Sequence, residues 1–205
     1  GAGIRRAGLE RGRGMTLFLS ALVLVLIGLH LGSVCLVLRR LRRAPPGRPA
    51  HAPFVTLLRP VCGLDRFDRQ TLGSSFRLDY PDYEVIFCAA DENDAAVPVV
   101  RRLIARHPQV RARLLIGEQR ISGNPKLNNL QKGWQAAGGE WVAMADANLL
   151  LPADYLWRLV AEVQPGPVLV TSPPIGTRPE GPWAALECAF LPGNQARVQL
   201  LAAAI

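Results

Sequence analysis

The chain has 205 residues, 49% of them hydrophobic and 20% charged, with a formal net charge of +8. That length holds one ordinary domain with a sizeable core plus an appendage, and the composition excludes a disordered tail. The charge is concentrated: residues 1–48 carry nine arginines and one acid, Glu10, whereas residues 49–205 carry fifteen basic and fifteen acidic side chains. A groove that tracks phosphates needs excess positive charge on the folded part, so no nucleic-acid partner is expected.

Residues 1–15 read as an extension ahead of an uncharged run, residues 16–38, "TLFLSALVLVLIGLHLGSVCLVL". At 1.5 Å per residue that run is long enough to cross a bilayer core of about 30 Å. A secretory signal has a shorter apolar region, about 7–15 residues, with a small-residue cleavage site. This run is longer and leads into "RRLRR", so a transmembrane helix is expected. With Met15 as the initiator, Arg39, Arg40, Arg42 and Arg43 follow the helix and no arginine precedes it; the positive-inside rule then puts the rest of the chain in the cytoplasm, at the cytoplasmic (inner) membrane. With the first fourteen residues present, Arg5, Arg6, Arg11 and Arg13 nearly balance the count, and the rule decides little. Residues 39–53 form a basic, Pro-rich juxtamembrane linker, and a folded domain is expected over 54–205.

Within that domain strands and helices alternate. "FVTLLRPV" (54–61) is β-rich, and "DRFDRQTLGSSFRL" (65–78) has helical spacing at Phe67, Leu72 and Phe76. "YEVIFCAA" (83–90) is an apolar strand, "AAVPVVRRLIARH" (95–107) a helix and "VRARLLIG" (110–117) a strand. "NPKLNNLQKGWQAAGG" (124–139) is a helix capped by Asn124, opened by Pro125 and ended by two glycines. "EWVAMA" (140–145) is a strand, "PADYLWRLVAEV" (152–163) a helix, and "PVLVTSP" (167–173) a fifth strand. This alternation predicts a parallel α/β sheet with right-handed crossovers, covered on both faces.

Ligands of such sheets sit at the carboxyl ends of the strands. Asp91 follows "EVIFCAA" and Asp146 follows "EWVAMA", so both fall on that edge. One acid there is an ordinary turn residue or cap. Two suit a nucleotide: one accepts hydrogen bonds from base or ribose, and the other carries a divalent cation beside a diphosphate. The neighbouring Glu92 and Asp94 read as solvated loop residues. Lys126, in the first turn of its helix, opposes the helix dipole unless an anion lies near, which hints at phosphate. Neither a P-loop nor a G-x-G-x-x-G is present, which counts against an ATPase or a dinucleotide enzyme. The histidines His30, His51 and His107 never approach Cys35, Cys62, Cys88 or Cys188 at ligand spacing, so no zinc site is expected; the cysteines read as small hydrophobes of a reducing compartment.

Taken together and in order, "VTLLRPVCGLD", "LDYPDYEVIFCAADENDAA", "GNPKLNNLQKGW" and "VAMADANLLLPADYL" resemble the ceramide glucosyltransferase family of membrane GT-A glycosyltransferases. "ALECAFLPGNQARVQL" is similar to its bacterial, hopanoid-biosynthesis-associated branch. The resemblance covers about Pro53 to Leu200. It implies a GT-A-type, Rossmann-like parallel sheet, a UDP-sugar donor, Mg or Mn, a ceramide- or hopanoid-like lipid acceptor and transfer with inversion. Asp91 matches the aspartate that contacts the nucleotide, Lys126 a donor contact, and Asp146 the DxD-like position that holds metal and diphosphate. Arg59 and Pro60 match positions where the first strand meets the nucleoside. The motif here is Asp146-Ala147-Asn148, so Asn148 replaces a second carboxylate as a metal ligand. The family's general base and Q-x-x-R-W segment match nothing up to Ile205, so the chain is expected to be the donor-binding half, truncated at its C-terminus. Two other readings stay open: a non-catalytic, membrane-tethered module that binds a nucleotide or a partner, and a small soluble-type nucleotide-binding enzyme with a cleaved signal.

Overall fold

The computed structural model describes residues 2–42, 47–163, 166 and 169–202. The chain divides into two compact units, one of Gly1–Ala44 with Thr171–Ile205 and one of Pro45–Val170.

In the first unit, helix α1 runs unbroken over Ala2–Leu41. Its stretch Arg13–Arg39 is long and apolar enough to cross a membrane, and Leu17, Phe18, Leu24 and Leu29 are all at least 65% exposed. The same unit holds two short helices, Pro182–Phe190 and Arg197–Ala202, joined by a π-helical turn over Leu191–Ala196.

The second unit contains a four-stranded, wholly parallel sheet. Its elements are β1 (Val55–Val61), α2 (Asp68–Ser74), β2 (Tyr83–Ala89), α3 (Val97–Arg106), β3 (Arg111–Ile116), α4 (Pro125–Ala136), β4 (Trp141–Met144) and α5 (Tyr155–Ala161). The strand order is β3-β2-β1-β4. β1 and β2 lie in the middle, and every residue of β2 is buried, as continuous apolar runs are when a parallel sheet is covered on both faces.

The pleat sends alternate side chains to two cores. Val55, Leu57, Val61, Val85 and Phe87 join Leu72, Phe76, Val97, Val100 and Leu156 on one face. Leu58, Ile86 and Cys88 meet Leu130 of α4 on the other. There α4 lies close to the sheet because Gly133 has no side chain: a Cβ at that position would fall 2.5 Å from Cys88 Sγ and 3.2 Å from Leu58 Cδ2.

Among the described residues the expected fifth strand is not formed. Pro167 and Val168 lie outside the described residues, and residues 169–173 take no strand conformation. Leu169 is 86% exposed. A short apolar run becomes a strand only where a neighbouring edge accepts its backbone groups, and no such ladder engages these residues. The other expected strands and helices of this unit all form, shorter by one to seven residues.

Candidate functional site

In a parallel sheet of this order the chain moves from β1 outward through β2 to β3 and then returns across β1 to β4. The reversal lies between β1 and β4, and crevices for ligands open at the carboxyl ends of such strands. Here the crevice has a local cause. Leu58 O accepts from Ala145 N at 3.0 Å, so Leu58, and Pro60 two residues later, direct their backbone groups toward β4. β4 pairs with β1 only from Val55 to Leu58. Pro60, with no N–H to donate, therefore sits just past the last ladder bond, where the two strands part.

Asp146 follows β4 at this opening, with about half of its side chain exposed. One of its carboxylate oxygens accepts from Lys126 Nζ. Lys126 stands in the first turn of α4, whose Asn124 cap accepts from Lys126 N at 3.0 Å and Leu127 N at 3.4 Å. The anion that a lysine at a helix N-terminus calls for is thus Asp146 itself. Asn148, two residues on, is exposed.

Asp91 lies past the end of β2 and is exposed; its Oδ1 accepts from Asn93 N at 2.9 Å and Asn93 Nδ2 at 3.2 Å. No contact joins Asp91 to Asp146 among the described residues, so the two acids share the edge of the sheet without touching. Arg59 is fully buried, and Nη2 donates to the carbonyls of Thr71 (3.3 Å), Ala147 (3.1 Å) and Leu149 (3.1 Å). Burial lowers its pKa to about 10, although Tyr155, Asp146 and Asp68 all favour the charged form, so it remains a cation at neutral pH.

Several residues that support this edge were not singled out in the sequence. Asp94 is a bracket rather than a solvated acid: its carboxylate accepts from Gly63 N at 2.9 Å and from Ala96 N at 2.8 Å, joining the loops after β1 and β2. Gly63 has φ +70°, a conformation that favours glycine. Asn128 and Asn129 are buried polar residues on the inner face of α4. Asn128 Oδ1 accepts from Ile121 N and Ser122 N, and Asn129 Nδ2 donates to Cys88 O at 2.8 Å, tying α4 to the end of β2. A paired Asn-Asn where a helix should be apolar is the signal that could have found them.

No cluster of three or more metal-ligating His, Cys, Asp or Glu side chains occurs among the described residues. The donors expected from the sequence are one carboxylate, Asp146, and one amide oxygen, Asn148, both on exposed side chains. That suits Mg²⁺ or Mn²⁺ delivered with phosphate oxygens and water, the usual state of Mg²⁺ on nucleotide enzymes, and does not suit an all-protein cage.

Residues 19–205 match Glycosyl transferase family 21. The chain belongs to that family. Relatives similar to it include Ceramide glucosyltransferase 1 of Caenorhabditis elegans, 30% identical over 151 residues, 73% of this chain and 32% of the relative. Ceramide glucosyltransferase of Komagataella phaffii is 37% identical over 116 residues, 55% of this chain and 23% of the relative. The chain therefore spans about a third or less of the length of these relatives. Among solved structures it is similar to mannosyltransferase PcManGT of Pyrobaculum calidifontis in complex with GDP-Man and Mn²⁺, with TM-score 0.50 and 26% identity over 67% of this chain and 42% of that one. The four-stranded parallel sheet of this family 21 chain is thus of the GT-A type.

Proposed function

We propose that this chain supplies the donor side of a membrane glycosyltransferase that moves a sugar from a UDP-sugar to a ceramide- or hopanoid-like lipid, with inversion. The observation that carries the reading is the Lys126–Asp146 pair at the β1/β4 reversal of a family 21 sheet. The crevice presents one cation and one anion, half-exposed and paired to each other. A nucleoside diphosphate with its metal satisfies both: Lys126 turns to phosphate oxygens, and Asp146 with Asn148 holds the cation. The metal supplies charge neutralisation for the departing diphosphate.

Asp91, at the end of the neighbouring strand, is placed to accept hydrogen bonds from the nucleoside. Pro60 stands where β1 and β4 separate, beside the proposed nucleoside position. In the transfer the acceptor hydroxyl attacks the anomeric carbon from the face opposite the diphosphate, the C–O bond to phosphate breaks and the hydroxyl proton leaves to a base. α1, apolar over Arg13–Arg39, anchors the chain in the cytoplasmic membrane, where a lipid acceptor is available.

Calorimetric titration of the detergent-solubilised chain with UDP and Mn²⁺, and in parallel with GDP and Mn²⁺, tests the reading. Binding of UDP that is lost in Asp146→Ala, with an unchanged circular-dichroism spectrum, is the expected result. A wild-type chain that binds neither nucleotide, or an Asp146→Ala variant that binds as well as wild type, defeats it.

A further inference from the structure

We infer that Arg59 is a positioning residue that sets the loop carrying Asp146 and Asn148, and that it does not contact the nucleoside. This rests on the nucleotide-sugar reading above and names the residue that fixes the geometry of that site.

Arg59 is an expensive residue for the fold alone. It occupies one row of β1 with Val55, Leu57 and Val61, the other three facing the apolar core under α2 and α3. It is 0% exposed, and its Nε and Nη1 have no hydrogen-bond partner. A buried charge with unpaired donors is costly to desolvate, and within the core Nη2 donates only to the carbonyl of Thr71 in α2.

What the guanidinium does instead is hold backbone. Nη2 donates to the carbonyls of Ala147 and Leu149, the two residues that flank Asn148. Thr71 Oγ1 donates to the same Ala147 carbonyl at 2.6 Å, and Leu151 N donates to Ser74 Oγ at 3.0 Å. Leu149 N closes a turn on Asp146 O at 3.1 Å. The loop is thus stitched to β1 and α2 through its main-chain atoms at Ala147, Leu149 and Leu151, whose side chains also pack against the core. The side chains of Asp146 and Asn148 are left exposed while the backbone between them is fixed. Being enclosed, Arg59 cannot reach a nucleoside itself, but it decides where the two metal-facing side chains stand.

The test compares wild type with Arg59→Met, which keeps length and removes every donor, and with Arg59→Lys, which keeps the charge but reaches fewer carbonyls. Each full chain in detergent is titrated with UDP in Mn²⁺ and again in EDTA, and its melting temperature is recorded. In Arg59→Met the Mn²⁺-dependent affinity falls by about 10- to 100-fold, the scale of losing an outer partner of a metal ligand, while metal-free UDP affinity stays at the wild-type value; the melting temperature falls, because the carbonyls of Thr71, Ala147 and Leu149 lose their donor. Arg59→Lys recovers part of the loss. If Arg59→Met does not fold, Thr71→Val, which removes the second bond to Ala147 O, shows the same pattern at smaller size.

Equal losses with and without metal mean that Arg59 contacts the nucleotide directly, and they overturn the inference. Unchanged Mn²⁺-dependent affinity in the variants overturns it too, leaving the functional reading intact. A wild-type chain that binds neither UDP nor GDP with Mn²⁺ removes the functional reading and this inference together.

Discussion

Gly133→Ala adds one methyl group at the place where α4 touches the sheet. The new Cβ falls 2.5 Å from Cys88 Sγ, 3.2 Å from Leu58 Cδ2 and 3.7 Å from Ile86 Cγ2. Cys88, Leu58 and Ile86 are all 0% exposed and have no free space to yield. Overpacking of this kind costs about 1–3 kcal/mol, and replacing a helical glycine by alanine returns about 0.8–1.0 kcal/mol. The net expectation is a loss of up to about 2 kcal/mol, read as a fall in melting temperature of up to roughly 8 °C for a chain of this size. The double variant Gly133→Ala with Cys88→Ala removes the nearest obstructing atom. It is expected to be more stable than the sum of the two single changes by at least about 0.5 kcal/mol, the mark of residues in contact. Thermal melts of the four chains in one detergent give the complete cycle. A single Gly133→Ala variant more stable than wild type, or strictly additive changes, refutes the close seating of α4 and with it the placement of Lys126.

Two further outcomes follow from the same framework. Burial alone would raise the pKa of Glu84, but Gly138 N–H, the Thr56 hydroxyl and Arg113 hold its carboxyl below the ordinary 4.5. A depressed carboxylate contributes stability above its unfolded pKa and loses it as pH falls through the folded value. Glu84→Gln should therefore lower stability by about 1–3 kcal/mol at pH 7, and denaturant melts should show the gap to wild type closing below pH 4.5. Lys126→Met leaves stability within about 0.5 kcal/mol, because the ion pair it breaks is half-exposed. It weakens UDP binding in Mn²⁺ by about tenfold or more, the loss of a charged hydrogen bond, as measured by calorimetry.

Most of the sheet was legible because its strands are apolar runs and its helices carry end signals. Asn124 caps α4 as its sequence position predicts, and Pro125 opens it. "PVLVTSP" has the composition of a strand, yet its residues 169–173 form none, because pairing depends on a neighbouring edge that composition does not encode. At the site, Asp146 and Asp91 could be placed on the right edge by counting strands alone. Their relations could not: Asp146 pairs with Lys126 twenty residues earlier, and Arg59 turns inward to carbonyls 88 and 90 residues away. Such pairings depend on side-chain direction across the crossover between β1 and β4. The pleat gives the face on which Arg59 lies but not the backbone atoms waiting there. Asp94 was misjudged for a similar reason, since one acid in "DEND" looks like another until the loop after β1 is brought beside it.

The central claim is a location: the nucleotide occupies the carboxyl edge of the sheet at the β1/β4 reversal. Amide hydrogen exchange of the full chain, with and without UDP and Mn²⁺, tests it most directly. Slowed exchange at residues 91–96 and 146–151, with residues 80–83 and 108–111 at the opposite edge unchanged, is the predicted result. Protection confined to the opposite edge, or none while UDP is bound, contradicts it.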